Sequence, residues 1–490
     1  MVNPEIKQFL DVLTKKMVVE LPDAFDKSTT LYNGAYNYSL THYRTILNNI
    51  ISKYKSRLTL QSTSQSTSQY EIINALSSDI IDEYLIEKMH TEYHPAITAR
   101  IQEIANIPIV EQKSPEWFRL REGMISASDA GYFLKKCGVA RAVDSLKIKV
   151  GLKNYTNSSA PPLMHGNTYE DVSRAIYESR NQVVVSEYGI LSSPTPYIGA
   201  SPDGVITKCL HTSWQCQSRL GRLLEIKNPY SREIDHSIKP EYMVQILQQQ
   251  YTTQLPVCDF VETTIVDKYC RNERSNYKAY ETMDDLLNDK IDTSRSNWRE
   301  RINNSNIPVE NLNKFGNEKG FIIWYQLVIT ENDIRNKYVL YPLNNPYEKM
   351  AMEKWIVDTN SDLFSIGYTF REIKYWRLDV YDEKTVVYDQ RIYEGEYIPR
   401  LCDVWDVIVK CRKIKEKSII NKPITTANTV NALEVYIDDL ENKKDSPFYN
   451  ENKVKKKIKT TASTSLNNSN IILSHIPMKN NEGVEIELDF

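Results

Sequence analysis

The segment LLEIKNPY, residues 223–230, constrains this chain more than any other. Leu223, Leu224 and Ile226 read as a strand sunk into a sheet, yet Glu225 and Lys227 interrupt them two positions apart. Side chains two apart on a strand share a face. The sequence therefore sets a carboxylate beside an ammonium where burying either one alone is costly. Pro229 stops the run, so the pair falls near a strand end, where a divalent cation is one way to balance buried carboxylates.

Glu-x-Lys by itself is common here, recurring at Glu5/Lys7, Glu111/Lys113, Glu372/Lys374, Glu441/Lys443 and Glu451/Lys453, so context must discriminate. Upstream, YIGASPDGVI (197–206) carries turn chemistry in SPDG between β-type residues, which predicts Asp203 at a strand end beside Glu225. PLMHGNTYEDVSRAIYE (162–178) predicts a loop and then a helix capped by Asn167 or Thr168. Glu170 then sits in the first turn, either as dipole compensation or as a third carboxylate. In SPEWFRLREGMISASDAGYFLKKCG (114–138), Ser128 fits an N-cap for a helix over 129–136 and Gly138 its stop. Arg121 could fork onto a phosphate at such a helix start or form an ordinary surface ion pair. PEYMVQILQQQYTTQ (240–254) is helical, and Gln245 and Gln248 are either site residues or a polar face. Asp362, Glu372 and Lys374 spell a rival acid–lysine set, without an SPDG turn or a following Gln helix. Cys209, His211 and Cys216 are either metal ligands or a Cys-rich hairpin tip.

With 490 residues the chain has room for several domains. Residues 1–105 read as a helical module around the polar linker QSTSQSTSQ (61–69). Residues 106–415 alternate helix-period and strand-like segments, an α/β or α+β texture with an Asn-rich polar insertion at about 271–320. Strands are predicted at 321–329, 337–343, 371–381 and 385–393, and a helix over 401–415. The tail, 416–490, is Lys-, Asn-, Ser- and Thr-rich, with a helical stretch near 430–441 and the basic run KVKKKIK at 453–459. That run is a nuclear address, a phosphate contact or a solvated tail. The seven cysteines form no CxxC pair, which argues against a zinc ribbon or iron–sulfur cluster. The net charge of −3 does not advertise nucleic-acid binding over the whole chain. No apolar run approaches a membrane span and the N-terminus lacks the pattern of a secretory signal, so an intracellular location is expected.

The order SPEW…LR…ISAS, HG…YE, SPDG, LEIK and YM…Q over about 114–255 resembles the lambda-type exonucleases, or YqaJ-like viral recombinase family, within the PD-(D/E)XK nucleases. The resemblance implies a restriction-endonuclease-like core, a mixed sheet flanked by helices. It implies that Asp203 and Glu225, with the Ile226 carbonyl, bind Mg²⁺ (Mn²⁺ a substitute; two ions), and that Glu170 is the helix-borne carboxylate. Lys227 matches the lysine that positions or activates the attacking water. Arg121, Ser128, Ser201 and Gln245 match positions around the terminal 5′-phosphate or the metals. The implied activity is digestion of one strand of duplex DNA from its 5′ end, leaving a 3′ single strand for recombination or repair. Alternatives are an endonuclease on the same core or a non-catalytic DNA-binding module. Double-stranded DNA ends, a single-strand annealing protein and a homo-oligomer are the implied partners, in the cytoplasm or nucleus of a host cell if the protein is viral. Asp203 and Glu225 are more widely separated in sequence than in compact family members, and the residues between them predict a long hairpin over 208–222. Its Lys208, Trp214, Arg219 and Arg222 could grip DNA or a partner, or fill space.

Overall fold

The computed structural model describes residues 8–11, 51, 94–110, 114–153, 160–211, 217–269, 279–288, 318–330, 333–420 and 426–453. The 61–69 linker, almost all of 1–93, most of the 271–320 insertion, Trp214, Cys216 and the tail beyond 453 lie outside the described residues. The N-terminal module's last segment, 94–105, is helical as its periodicity predicts. The chain divides into two compact units, Met1–Gly131 with Tyr155–Pro399, and Tyr132–Asn154 with Arg400–Phe490.

The first unit is built on a mixed sheet flanked by helices, as the α/β reading expects. In chain order its strands are β1 (Ile125–Ser126), β2 (Val183–Ser186), β3 (Leu191–Ser192), β4 (Ile198–Ala200), β5 (Gly204–Cys209), β6 (Leu223–Lys227), β7 (Val257–Val266), β8 (Lys319–Thr330), β9 (Asp333–Leu340) and β10 (Thr369–Val387). Seven of them form one sheet in the order β2-β5-β6-β7-β10-β8-β9, and β1-β4-β3 form a second, small sheet. In the large sheet β6 and β7 are parallel and the remaining pairs antiparallel. Parallel neighbours need a crossover, which helix α4 (Pro240–Thr253) supplies.

β7, VCDFVETTIV, is buried along all ten residues. Sequence reading passed over it because Asp259, Glu262 and three threonine or cysteine positions break its apolar pattern. Along β8 and β10 the side chains alternate between two cores, as a period of two requires. Ile322, Trp376 and Leu378 join Leu224, Ile226, Val261 and the helix residues Tyr169, Val172 and Ile176. Phe321, Ile323 and Tyr325 join Met352 and Leu363 of helix α5 (Lys349–Ser365). The segments 371–381 and 385–393, expected as two strands, are instead one 19-residue strand that ends at Val387. Beyond it Asp389 accepts a hydrogen bond from the Ile392 N–H at 3.1 Å and turns the chain into helix.

The hairpin between β5 and β6 has its arginines turned inward. Asp259 of β7 receives Arg219 Nη1 at 2.6 Å, Arg222 Nη1 at 3.0 Å, the Tyr177 hydroxyl at 2.7 Å and the Thr385 hydroxyl at 2.8 Å. Burial pushes the Asp259 carboxyl up, but the two guanidiniums and the hydroxyl hydrogen bonds outweigh it and hold the group below the usual carboxylate range. Arg219 and Arg222 therefore brace the sheet, which among the readings left open for this segment is an internal role rather than a grip on DNA; Lys208 is exposed.

In the second unit, helix α3 (Val139–Lys149) follows Gly138, whose φ of +87° suits glycine. Arg412 and Lys415 of the long helix α6 (Ile398–Ile420) donate to the carbonyls of Lys149 and Val150 at 3.0 and 3.2 Å. A further helix, α7 (Thr426–Asn442), and Phe448, which meets Phe133 edge to face, close this core. Among the described residues no helix is long and apolar enough to cross a membrane.

Candidate active site

β5 and β6 pair in antiparallel register with Gly204 opposite Leu224. That register puts Asp203, the residue just before β5, beside the far end of β6. Asp203 Oδ2 accepts a hydrogen bond from the Ile226 N–H at 2.7 Å. SPDG links a strand of the small sheet to one of the large sheet, so it is a crossing point between sheets rather than a hairpin. Gly204 is needed for room: a Cβ there would lie 2.1 Å from Cγ1 of Val185 on the neighbouring strand.

Glu225 has no exposed surface. Its Oε1 pairs with Lys227 Nζ, and its Oε2 accepts from Gln249 Nε2 of α4 at 2.6 Å. Lys227 also lies 5.2 Å from the Tyr242 ring centroid. Burial alone would lower the Lys227 pKa, but Glu225 and Asp203 overcome it and hold the amine charged, above its ordinary value. Burial raises the Asp203 carboxyl well above the carboxylate range, and the nearby charges of Glu225 and Glu170 add to it. Glu170 is raised by burial too, with Lys227 opposing and Glu225 reinforcing the shift. Three carboxylates and one amine therefore share a single electrostatic neighbourhood.

Glu170 arrives there differently from the sequence expectation. The helix that carries it starts at Pro161 and runs unbroken to Asn181, so neither Asn167 nor Thr168 caps it and Glu170 lies mid-helix. Proline is preset for a first helical turn, and Gly166, within the stretch predicted as a loop, is simply tolerated inside the helix. Dipole compensation does not explain an acid at that depth.

A second cluster surrounds Arg121. Helix α1 (Pro115–Glu122) is capped by Ser114, and Arg121 rests 4.7 Å from the Trp117 ring centroid. Its Nη2 donates to Ser126 at 3.0 Å and Ser128 at 3.2 Å and lies 3.8 Å from Asp129. Helix α2 (Ala127–Phe133) begins one residue before Ser128, which is therefore inside the first turn rather than its N-cap. Ser201 donates to the Tyr188 carbonyl at 3.4 Å, two residues before Asp203. Gln245 is half-buried on α4, and the glutamine that reaches Glu225 is Gln249, one turn further on. Gln248 donates to the Ile125 and Gly199 carbonyls at 2.8 and 2.9 Å, which ties the small sheet to α4. Adjacent glutamines of one helix thus hold Glu225 and the small-sheet strand β1 that lies beside Arg121.

The rival set does not assemble. Asp362 is exposed on α5, whereas Glu372 on β10 accepts from the Tyr269 hydroxyl at 2.7 Å and pairs with Lys268. Among the described residues no three His, Cys, Asp or Glu side chains close into a metal-holding group. A divalent ion at Asp203 and Glu225 would rest on two carboxylates, the Ile226 carbonyl and water. Mg²⁺ is commonly held by one or two carboxylates with several waters retained. The hard oxygens and their mutual repulsion fit such a cation.

Comparison with known proteins bears out the resemblance. A curated relative, "Uncharacterized protein R354" of Acanthamoeba polyphaga mimivirus, is 30% identical over 338 residues, 65% of this chain and 56% of that protein. The chain thus spans little more than half the length of that relative. Two solved structures align at 27% identity and a TM-score of 0.25. LHK-Exo in complex with dAMP aligns with 30% of this chain and 73% of its own, and the alkaline exonuclease LHK-Exo from Laribacter hongkongensis with 31% and 74%. Residues 116–256, which contain Arg121, Glu170, Asp203, Glu225, Lys227 and Gln249, match the family described as the YqaJ-like viral recombinase domain.

Proposed function

We propose that this chain is a Mg²⁺-dependent DNA exonuclease that digests one strand of a duplex from its 5′ end and leaves a 3′ single strand. The observation that carries the reading is the meeting of Asp203, Glu225 and a charged Lys227 at adjoining strand ends, with Asp203 on the Ile226 N–H and Glu225 paired to Lys227, and with Glu170 of the neighbouring helix in the same electrostatic field. The family match over 116–256 supports it.

Asp203 and Glu225, with the Ile226 carbonyl, would hold the cation, with Glu170 as the third carboxylate. A bound divalent ion there supplies Lewis-acid stabilisation of charge developing on the scissile phosphate. Lys227 keeps its proton, and so adds a fixed positive charge beside the phosphate and orients the attacking water. Gln249 holds the Glu225 carboxylate in one orientation. Arg121, with Ser126 and Ser128, offers donors to a terminal phosphate, and Asp129 holds the guanidinium in place until that phosphate arrives.

In this reading the partners are duplex DNA ends and a single-strand annealing protein that takes up the 3′ strand. The test is purified protein with Mg²⁺ on linear duplex and on closed circular plasmid. Loss of the linear form with the circle intact supports the proposal. Nicking of the circle would establish an endonuclease instead, and hydrolysis of neither would leave a binding module.

A further inference from the structure

The sheet continues past the active-site end. β6 stops at Lys227 and its parallel neighbour β7 at Val266. Val266 faces Arg377 of β10, but β10 begins at Thr369 and pairs with β8 from that residue onward. Residues 369–376, with β8 and β9, therefore form a three-stranded arm standing roughly 25 Å beyond the end of β7, at ~3.3 Å per residue.

One face of this arm carries large aromatics that the core does not fully use. Trp324 and Tyr338 are cross-strand partners, nearly parallel at 23° with centroids 6.3 Å apart. Trp324 belongs to neither of the sheet's two buried clusters. Lys374 reaches in beside them, its Nζ 5.3 Å from the Trp324 centroid, 6.0 Å from Tyr338 and 5.1 Å from Tyr269. Tyr269 is 49% exposed. The Tyr230 hydroxyl, three residues past the catalytic lysine, donates to the Tyr269 carbonyl at 3.3 Å. An aromatic path therefore leads from Lys227 through Tyr230 and Tyr269 to Trp324 and Tyr338. Glu372 on this face is paired with Lys268, and Lys374 stands among these rings in the field of Glu372 and the buried Asp267.

We propose that this arm is a second nucleic-acid site, where unpaired bases of a single DNA strand stack on Tyr269, Trp324 and Tyr338 while Lys374 meets the backbone. Such a surface suits single strands because every base has a π-face, whereas a duplex hides its bases. The inference rests on the nuclease reading for the identity of the strand, namely the one that digestion leaves unpaired.

The test is binding of a fluorescein-labelled oligothymidylate to the full chain in EDTA, where hydrolysis is blocked. Trp324→Ala weakens binding about tenfold, the effect of losing one base stack, and Trp324→Tyr restores most of it. Lys374→Ala weakens binding and flattens its salt dependence. Affinity for blunt duplex stays within about twofold in all three, since base stacking is not used there. Thermal melting identifies any misfolded variant, and quenching by the oligonucleotide of the fluorescence that Trp324→Phe removes gives a readout in the unaltered protein. Wild-type protein that ignores the oligonucleotide, or a folded Trp324→Ala that binds it as wild type does, overturns the inference. If that protein still digests linear duplex, the nuclease reading survives. Trp324-dependent binding without any hydrolysis is the reverse outcome.

Discussion

Gln249→Leu removes the amide that holds Glu225 while keeping similar volume and a good helix former. Glu225 is fully buried, and its oxygens are divided between Lys227 and Gln249 Nε2, the latter at 2.6 Å. Hydrogen bonds to charged groups contribute about 1.5–3 kcal/mol, and a carboxylate oxygen orphaned in the interior cannot recover that from water. The expected loss is about 2 kcal/mol, read in urea unfolding as a lower midpoint at unchanged slope and in melting as a drop of roughly 4 °C or more. In a Glu225→Gln background the same substitution withdraws only a neutral hydrogen bond, so the two changes couple by about 1 kcal/mol. Gln249→Leu that unfolds within about 0.5 kcal/mol of wild type, or a double mutant that is simply additive, would refute the reasoning that this amide holds the buried Glu225 carboxylate.

Other consequences follow from the same geometry. Asp259→Asn leaves Arg219 and Arg222 facing a neutral amide and is expected to cost about 3 kcal/mol or more in urea unfolding. Because the folded Asp259 pKa lies below its unfolded value of about 3.9, its stabilisation is complete above that pH and fades as acid drives the pH through the folded pKa. The wild type should therefore lose stability more steeply below about pH 4 than Asp259→Asn does, which acid titration by circular dichroism measures. Gly204→Ala drives a methyl to 2.1 Å from Val185 Cγ1, and the resulting overpacking, about 1–3 kcal/mol, should be relieved in a Val185→Ala background. Arg121→Leu should abolish any preference for 5′-phosphate over 5′-hydroxyl ends in the initial digestion rate, and should lower the melting temperature because the buried Asp129 loses its ion partner.

Sequence reading reached the elements whose chemistry is local. Glu225, Lys227 and Asp203 were legible because a period of two and a proline-bounded turn fix which residues meet at a strand end. Three features were not. Gln248 reads as a site residue or a polar helix face and Gln249 and Gln250 carry no signal of their own, yet all three are fully buried, since each amide finds a carbonyl or carboxylate brought close only by the fold. The loop predicted ahead of Asn167 hid the fact that Glu170 is mid-helix, because tertiary packing of Tyr169 and Val172 overrides the one weak helix former there, Gly166. β7 was hidden by buried Asp259 and Glu262, whose partners Arg219, Arg222 and Arg232 lie far off in sequence. The hairpin arginines looked available for DNA for the same reason: their acid partner is supplied by another strand.

The most direct measurement is release of label from linear duplex labelled at its 5′ ends, with Mg²⁺, comparing wild type with Lys227→Ala. The account predicts that the wild type releases 5′ nucleotides and exposes a 3′ single strand, that EDTA stops it, and that Lys227→Ala retains its fold but loses at least about a hundredfold in rate, consistent with the loss of a transition-state charge contact. Equal rates in the two proteins, or no release by either, would contradict the assignment of this site.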